Sequence, residues 1–268
     1  MKYDLTQARK CIETLDKRRF DRALLGSGDA FRHIVSLVPL LLHLNHPALP
    51  GYVEDAPAGI ADFILSNYQQ NFLSKEHPEL VEDVQSAVNS DAVFAPILGI
   101  YVMGSFGSIS QTSASDLDIW ICHQDDLSEQ DQQRLAEKTK KITQWASTFH
   151  VEMHFYLMTQ KRFRNERYSD PLTKENSGSA QYMLLLEEFY RSAVRLSGKP
   201  LLWLHLWVED EKQYEAEVAR LVAEGELNPN DWVDFGGLGQ FSASEYFGAS
   251  LWQLYKGIDS PYKSVMKI

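Results

Sequence analysis

Gly104-Ser105-Phe106-Gly107-Ser108-Ile109-Ser110-Gln111-Thr112-Ser113-Ala114-Ser115-Asp116-Leu117-Asp118 is the stretch on which the reading of this chain turns. It is preceded by Ile97 to Met103, an apolar run with strand character, and followed by a second one, Ile119-Trp120-Ile121-Cys122. In an extended strand, residues two apart project to the same face. Asp116 and Asp118 therefore point together, roughly 6–7 Å apart at a rise of about 3.3 Å per residue. Two carboxylates so placed repel one another unless a cation lies between them. A hard divalent ion with oxygen ligands, above all Mg²⁺, meets that demand. Gly104 has no Cβ and lets backbone approach a ligand closely. The N–H groups of a tight turn make an anion nest, and the Ser105 hydroxyl can donate to a phosphate oxygen. The segment thus offers a phosphate cradle and a metal-binding pair, joined by a spacer that has the composition of a turn or short helix.

A third carboxylate is available nearby. Val151 to Leu157 alternates, with Val151, Met153, Phe155 and Leu157 on one face and Glu152 and His154 on the other. A helix is expected from about Ser128 to Thr148, with Ser128 as N-cap, Glu129 and Asp131 in the first turn, and Leu135, Ile142, Trp145 and Phe149 as its buried stripe. Such a strand–helix–strand unit is compatible with Glu152 arriving beside Asp116 and Asp118.

Gly-Ser at a strand end, a spacer, Asp-x-Asp and a carboxylate on a neighbouring strand resemble the nucleotidyltransferase superfamily of DNA polymerase beta. Longer blocks resemble the class I adenylate cyclases of gamma-proteobacteria. They are residues 115–124 (SDLDIWICHQ), 188–199 (EFYRSAVRLSGK) and 245–263 (EYFGASLWQLYKGIDSPYK), with the segments around 38–41 and 46–52. The resemblance covers nearly the whole chain. It implies an α+β fold, a nucleotidyltransferase-like mixed sheet with flanking helices and a carboxy-terminal helical lobe. It also implies conversion of ATP to 3′,5′-cyclic AMP and pyrophosphate, with two Mg²⁺ ions (Mn²⁺ as substitute) held by Asp116, Asp118 and Glu152. Whether Glu152 would accept the proton of the ribose hydroxyl or only bind metal is open at this level. The same carboxylates would serve an enzyme that passes AMP to a protein, small-molecule or RNA acceptor, or survive in a catalytically dead nucleotide-binding module.

Nucleotide-binding candidates follow the same resemblance. Gly104 and Ser105 cradle phosphate. A helix is expected from Ser179 to Leu196, placing Arg191 and Arg195 one turn apart on a shared face, with Lys199 just after Gly198. These three are assigned to the triphosphate. Lys256, Ser260, Tyr262 and Lys263 are assigned to a lobe closing over the nucleotide. Asp234-Phe235-Gly236 matches a kinase triplet but lacks the accompanying Gly-rich loop, and reads as a turn. His150 and His154 sit four apart in an expected strand rather than a helix, with no Cys or carboxylate set that would complete a zinc site, though His154 shares a face with Glu152. Trp203, Trp207 and Trp252 read as core.

Bulk properties narrow the class. At 268 residues, 44% hydrophobic and 24% charged, the chain can bury a full core. The apolar run Ile34 to Leu44 is broken by Ser36, Pro39 and His43 and falls short of the about 20 residues of a membrane span. No secretory signal is visible, and Cys11 and Cys122 stand alone, so a cytoplasmic protein is expected. The formal net charge of −11 argues against a nucleic-acid partner, whose phosphates require Lys and Arg. Three regions are expected: a helical segment 1–59, a catalytic core 60–176, whose residues 161–176 read as an exposed loop, and a helical lobe 177–268. The last helix begins at Ser260-Pro261 and runs to Ile268 without a capping residue. The chain therefore reads as cut short, with a carboxy-terminal regulatory region beyond it.

Overall fold

The computed structural model describes residues 4–82, 84, 95–112, 115–166, 188–206, 208 and 211–237, and residues 247, 250, 251, 254, 255, 257, 258 and 264 near the carboxy terminus. Its centre is a four-stranded sheet: β1 (Ile97–Met103), β2 (Leu117–His123), β3 (Met153–Met158) and β4 (Val194–Gly198), in spatial order β3-β2-β1-β4. β1 runs antiparallel to β2 and β4, whereas β2 and β3 are parallel. Parallel neighbours require a crossover. It is supplied by the helix expected from Ser128: α4 (Glu129–Ser147), capped by the Ser128 hydroxyl, which accepts from the Asp131 N–H at 3.1 Å.

All seven residues of β1 are buried, so this strand is covered on both faces. From Ile100 to Met103 its side chains alternate between the two faces. Ile100 and Val102 join Ile119, Ile121 and Met153 in one apolar cluster; Tyr101, Met103, Trp120 and Cys122 join the other. The first cluster is filled by α2 (Asp29–His43), together with α3 (Asn67–Glu76) and α4. α2 buries Ile34, Val35, Leu37 and every residue from Val38 to Leu42. A helix apolar nearly all round has its place inside a core. α1 (Leu5–Leu25) precedes it and is largely exposed, burying only Ala23 fully.

The opposite face of the sheet carries an aromatic cluster. Trp120 stacks on Phe189, with centroids 4.3 Å apart, and on Tyr156 at 5.3 Å; Phe163, Trp203 and Phe235 extend the group. The short α5 (Gln160–Glu166) contributes Phe163, and α6 (Glu211–Ala223) contributes Tyr214. Trp203 is core, as expected, while Trp207 and Trp252 lie outside the described residues. Asp234 does form a turn, its carboxylate accepting from the Gly236 N–H at 2.9 Å.

Three sequence expectations are corrected. The helix expected from Ser179 to Leu196 is helical at 188–192, but it gives way to β4 at Val194. Gln160–Glu166, whose greater part was expected within an exposed loop, is helical because Phe163 is drawn into the aromatic cluster. His150 sits in the turn before β3 with φ of 60°, not in the strand. The first correction has a simple cause. β1 has an open edge on the side away from β2, and Val194-Arg195-Leu196-Ser197 pairs with it, overriding the helical spacing. β4, within the stretch expected to form the helical lobe, is thereby part of the core sheet.

Candidate active site

β1 ends in Gly104, whose φ is 82°. Such a conformation favours glycine, because a Cβ crowds the backbone there. A Cβ at this position would also come within 3.4 Å of Glu188 Oε1 and 3.9 Å of Asp118 Oδ2. The bare Cα of Gly104 therefore faces two carboxylates at once. The Gly104 N–H donates to Ser192 Oγ at 2.8 Å, and the Ser192 hydroxyl donates in turn to the Glu188 carbonyl. The helical residues 188–192 are thus tied to the end of β1.

After Gly104 the chain runs through consecutive turns rather than a helix. Phe106 is buried, and Arg19 of α1 donates to its carbonyl at 2.9 Å. Gln111 accepts from the Gly107 N–H and donates to Ser27 Oγ at 2.9 Å and to the Ala23 carbonyl at 3.2 Å. Gly107, with φ of 64°, lies against Arg19 so closely that a Cβ would stand 2.2 Å from its carbonyl oxygen. Ser105 is buried, and its hydroxyl donates to Ser115 Oγ at 3.1 Å. Thr112 N–H also donates to Ser115 Oγ, at 2.9 Å. These bonds close the two ends of the spacer together and deliver Asp116 to the start of β2.

Asp118 is opposite Met103 on one side and His154 on the other. Continuing the parallel register by two places sets Asp116 opposite Glu152, and the Leu117 N–H donates to the Glu152 carbonyl at 3.0 Å. The two aspartates, Glu152 and His154 thus share the sheet face that sequence alternation gave them. Asp118 is half-buried. Its carboxyl is pushed up to about 6, first by burial, then by the charge of Asp116 and that of Glu188; His154 and a 3.4 Å hydrogen bond from Tyr156 oppose the rise. Burial and the neighbouring aspartate push the Tyr156 phenol upward, so it stays a donor. Glu152 is exposed, with 74% of its side chain accessible, and lies 3.2 Å from His154 Nε2.

Among the described residues no group of three or more His, Cys, Asp or Glu side chains is assembled as a ready cage for an ion. Mg²⁺ is usually held by one or two carboxylates together with substrate phosphates and water, not by an all-protein cage. The donor set is entirely oxygen, one member is half-buried with its charge disfavoured, and the gap left by Gly104 opens toward it. The residues present therefore suit a divalent cation arriving with a phosphate.

The basic candidates separate. Arg191 is exposed on the helical residues 188–192, at the end of the sheet where Gly104 lies. Arg195 is on β4, so the two arginines do not share a helical face. Its guanidinium lies 3.2 Å from Glu13 of α1 and donates to the Gly198 carbonyl. Lys199 follows the far end of β4, its N–H bonded to the Leu98 carbonyl at 2.9 Å. Six steps along the strand, from Leu98 to Gly104, then separate it from the turn, roughly 20 Å at about 3.3 Å per residue. Lys256, Ser260, Tyr262 and Lys263 lie outside the described residues. Glu188, Ser192 and Tyr156 were not picked out from the sequence as site residues. Glu188 is 70 positions from Asp118, and its only signals were an acidic pair after the apolar run Met183 to Leu186 and its place at the head of the 188–199 block.

Comparison with known proteins follows this geometry. The family described as adenylate cyclase NT domain matches residues 4–204, and the class I second domain matches residues 241–268. This chain belongs to the class I adenylate cyclase family. It is 68% identical to an adenylate cyclase of Haemophilus influenzae over its whole length, covering 32% of that relative, and 61% identical to one of Pasteurella multocida, again covering 32%. An adenylate cyclase of Escherichia coli K12 is 44% identical over 96% of the chain, of which 30% is covered. The chain thus spans about a third of the length of these curated relatives. A solved toxin–antitoxin complex with AMP-PNP is similar over 59% of this chain and 86% of that one, at 16% identity and a TM-score of 0.23, too slight to bear on the fold. Among the described residues no helix is long and apolar enough to cross a membrane.

Proposed function

We propose that this chain carries the catalytic site of a cytoplasmic adenylate cyclase, forming 3′,5′-cyclic AMP and pyrophosphate from ATP. The observation that supports this best is the half-buried Asp118 facing the Cβ-less Gly104 turn, its carboxyl raised first by burial and then by neighbouring carboxylates. Membership of the class I family supplies the substrate. Residues 60–176 form the catalytic core with the helices before it, 177–268 contribute β4 and the segment that closes over the nucleotide, and the remaining length seen in the relatives holds regulatory functions.

In the reaction the ribose 3′-oxygen attacks the α-phosphorus of its own nucleotide. The bond from that phosphorus to the bridging oxygen breaks, pyrophosphate leaves, and the 3′-hydroxyl proton is released. Asp116, Asp118 and Glu152 would hold two Mg²⁺ ions, or Mn²⁺ in their place, which when bound supply charge neutralisation at the α-phosphate and acidify the hydroxyl. The chain's own contribution is positional. The Gly104 turn brings backbone against the phosphates, and Ser105, through Ser115, fixes the turn relative to Asp116. Arg191 reaches the triphosphate, and Lys256, Ser260, Tyr262 and Lys263 cover it. Arg195, paired with Glu13, and Lys199, beyond the far end of β4, are given no phosphate contact in this reading. Glu152, exposed and beside His154, passes the proton to solvent. Holding reactants of one molecule in line is worth about 7–11 kcal/mol in favourable cases.

The test is incubation of the chain with ATP and Mg²⁺ and no other acceptor. Cyclic AMP and pyrophosphate in equal amounts are expected, and Asp118→Asn should abolish them. ATP that stays intact until a protein or small-molecule acceptor is added would replace this reading with adenylyl transfer.

A further inference from the structure

We propose that Glu188 is a further metal ligand of this site, sharing with Asp118 an ion on the β1 side of the carboxylate pair. This rests on the function proposed above and adds a residue to it.

Three independent contacts place Glu188. Its neighbour Phe189 stacks on Trp120, two residues beyond Asp118, with an interplanar angle of 12°. Its own carbonyl accepts from Ser192, whose oxygen receives the Gly104 N–H. Its carboxylate Oε1 and Asp118 Oδ2 both face the position that a Gly104 Cβ would fill. The aromatic stack and the backbone tether fix the main chain at Glu188, which sets its carboxylate on the same side of Gly104 as Asp118.

The two oxygens of Asp118 face different partners. Oδ1 accepts from Tyr156 on the β3 side, whereas Oδ2 is the one facing Gly104 and Glu188. Glu152 lies on the β3 flank and is exposed; Glu188 lies on the β1 flank and is half-buried. An ion held by Asp118 Oδ2 would therefore have Glu188 as a second carboxylate within reach. Glu152 serves an ion on the other flank. Two ions held by these carboxylates would stabilise charge on the attacking and the leaving oxygens of an in-line displacement.

The test is Mn²⁺ binding to the chain in the presence of a non-hydrolysable ATP analogue, read from the electron paramagnetic resonance of free Mn²⁺. Wild type should bind two ions. Glu188→Gln should weaken one of them about tenfold or more, as loss of a ligand or its support does, while the other is retained. Asp118→Asn should weaken both. Should Glu188→Gln melt well below wild type, Glu188→Asp reads the same quantity, since it keeps the charge and withdraws it by one methylene. Intermediate affinity for one ion is then expected. Two-ion binding with wild-type affinity in a folded Glu188 variant overturns the inference while leaving the cyclase reading intact. Failure of the wild-type chain to bind Mn²⁺ with the analogue overturns both.

Discussion

The Gly104 N–H points at Ser192 Oγ, 2.8 Å away, and this bond joins the turn after β1 to a helix 88 positions further along the chain. Replacing Ser192 by Ala leaves that N–H without its acceptor, at a cost of about 1–3 kcal/mol. Ser192→Ala should lower the melting temperature and reduce turnover, because the turn and Glu188 lose their common anchor. Calorimetry and a cyclic AMP assay on the same preparation check both; an unchanged rate with a lowered melting point would dissociate the anchor from catalysis.

Gly104→Ala places a methyl where Glu188 and Asp118 converge, in a left-handed backbone conformation that costs an L-residue about 1–2 kcal/mol. The loss of activity should exceed what this destabilisation explains. Turnover at a temperature where the variant is fully folded separates the two effects.

Arg191 and Lys199 should differ in their effect on the substrate. Arg191→Gln is expected to raise KM for ATP about tenfold, the equivalent of one charge-assisted hydrogen bond. Lys199→Met should leave KM close to wild type, since Lys199 stands at the other end of β4. A raised KM for Lys199→Met would mean that the triphosphate lies along β4 instead.

Stability should fall on acidification, and His43 supplies a defined part of the fall. Its ring stacks on Phe63 at 3.9 Å, Nδ1 accepts from the Ile60 N–H at 3.0 Å, and burial pushes its pKa down to about 4 from the ordinary 6.5. The folded state holds the neutral ring while the unfolded chain binds a proton below 6.5. The stabilisation is therefore complete above pH 6.5 and lost as pH falls through 4, by about 3 kcal/mol. His205, pushed down to about 4 by burial, acts in the same direction. Asp16, pushed up to about 6 by burial, acts oppositely, regaining stability as it is protonated. His43→Asn retains an acceptor near Nδ1 and cannot titrate there. Its chemical-denaturation profile should be flatter than wild type between pH 7 and 4; an identical slope would refute the assignment.

The sequence was most legible where the signal is local. β1, β2, β3 and α4 fall where alternation, helical spacing and the Ser128 cap put them, and alternation alone set Asp116, Asp118, Glu152 and His154 on one face. Long-range pairing was not legible. The 188–198 stretch has helical spacing in its charges, but whether it coils or extends is decided by the free edge of β1, which lies almost a hundred positions away. Arg195 was expected on a helix for that reason. Glu188 was missed because its relation to Asp118 exists only once Phe189 has found Trp120. Ser105 has its hydroxyl donated to Ser115, a partner across a spacer whose closure no pattern in the spacer announces.

The spacer's attachment to α1 has a genetic consequence. Arg19 and the carbonyl of Ala23 hold residues 106–111, although the first 27 residues contribute no carboxylate or phosphate-turn residue to the proposed site. A saturation screen scored on cyclic AMP output should therefore recover loss-of-function alleles at Arg19, Ala23 and Ser27, more than 75 positions upstream of the nearest residue assigned to substrate, among neighbours such as Lys17 and Asp21 that tolerate exchange.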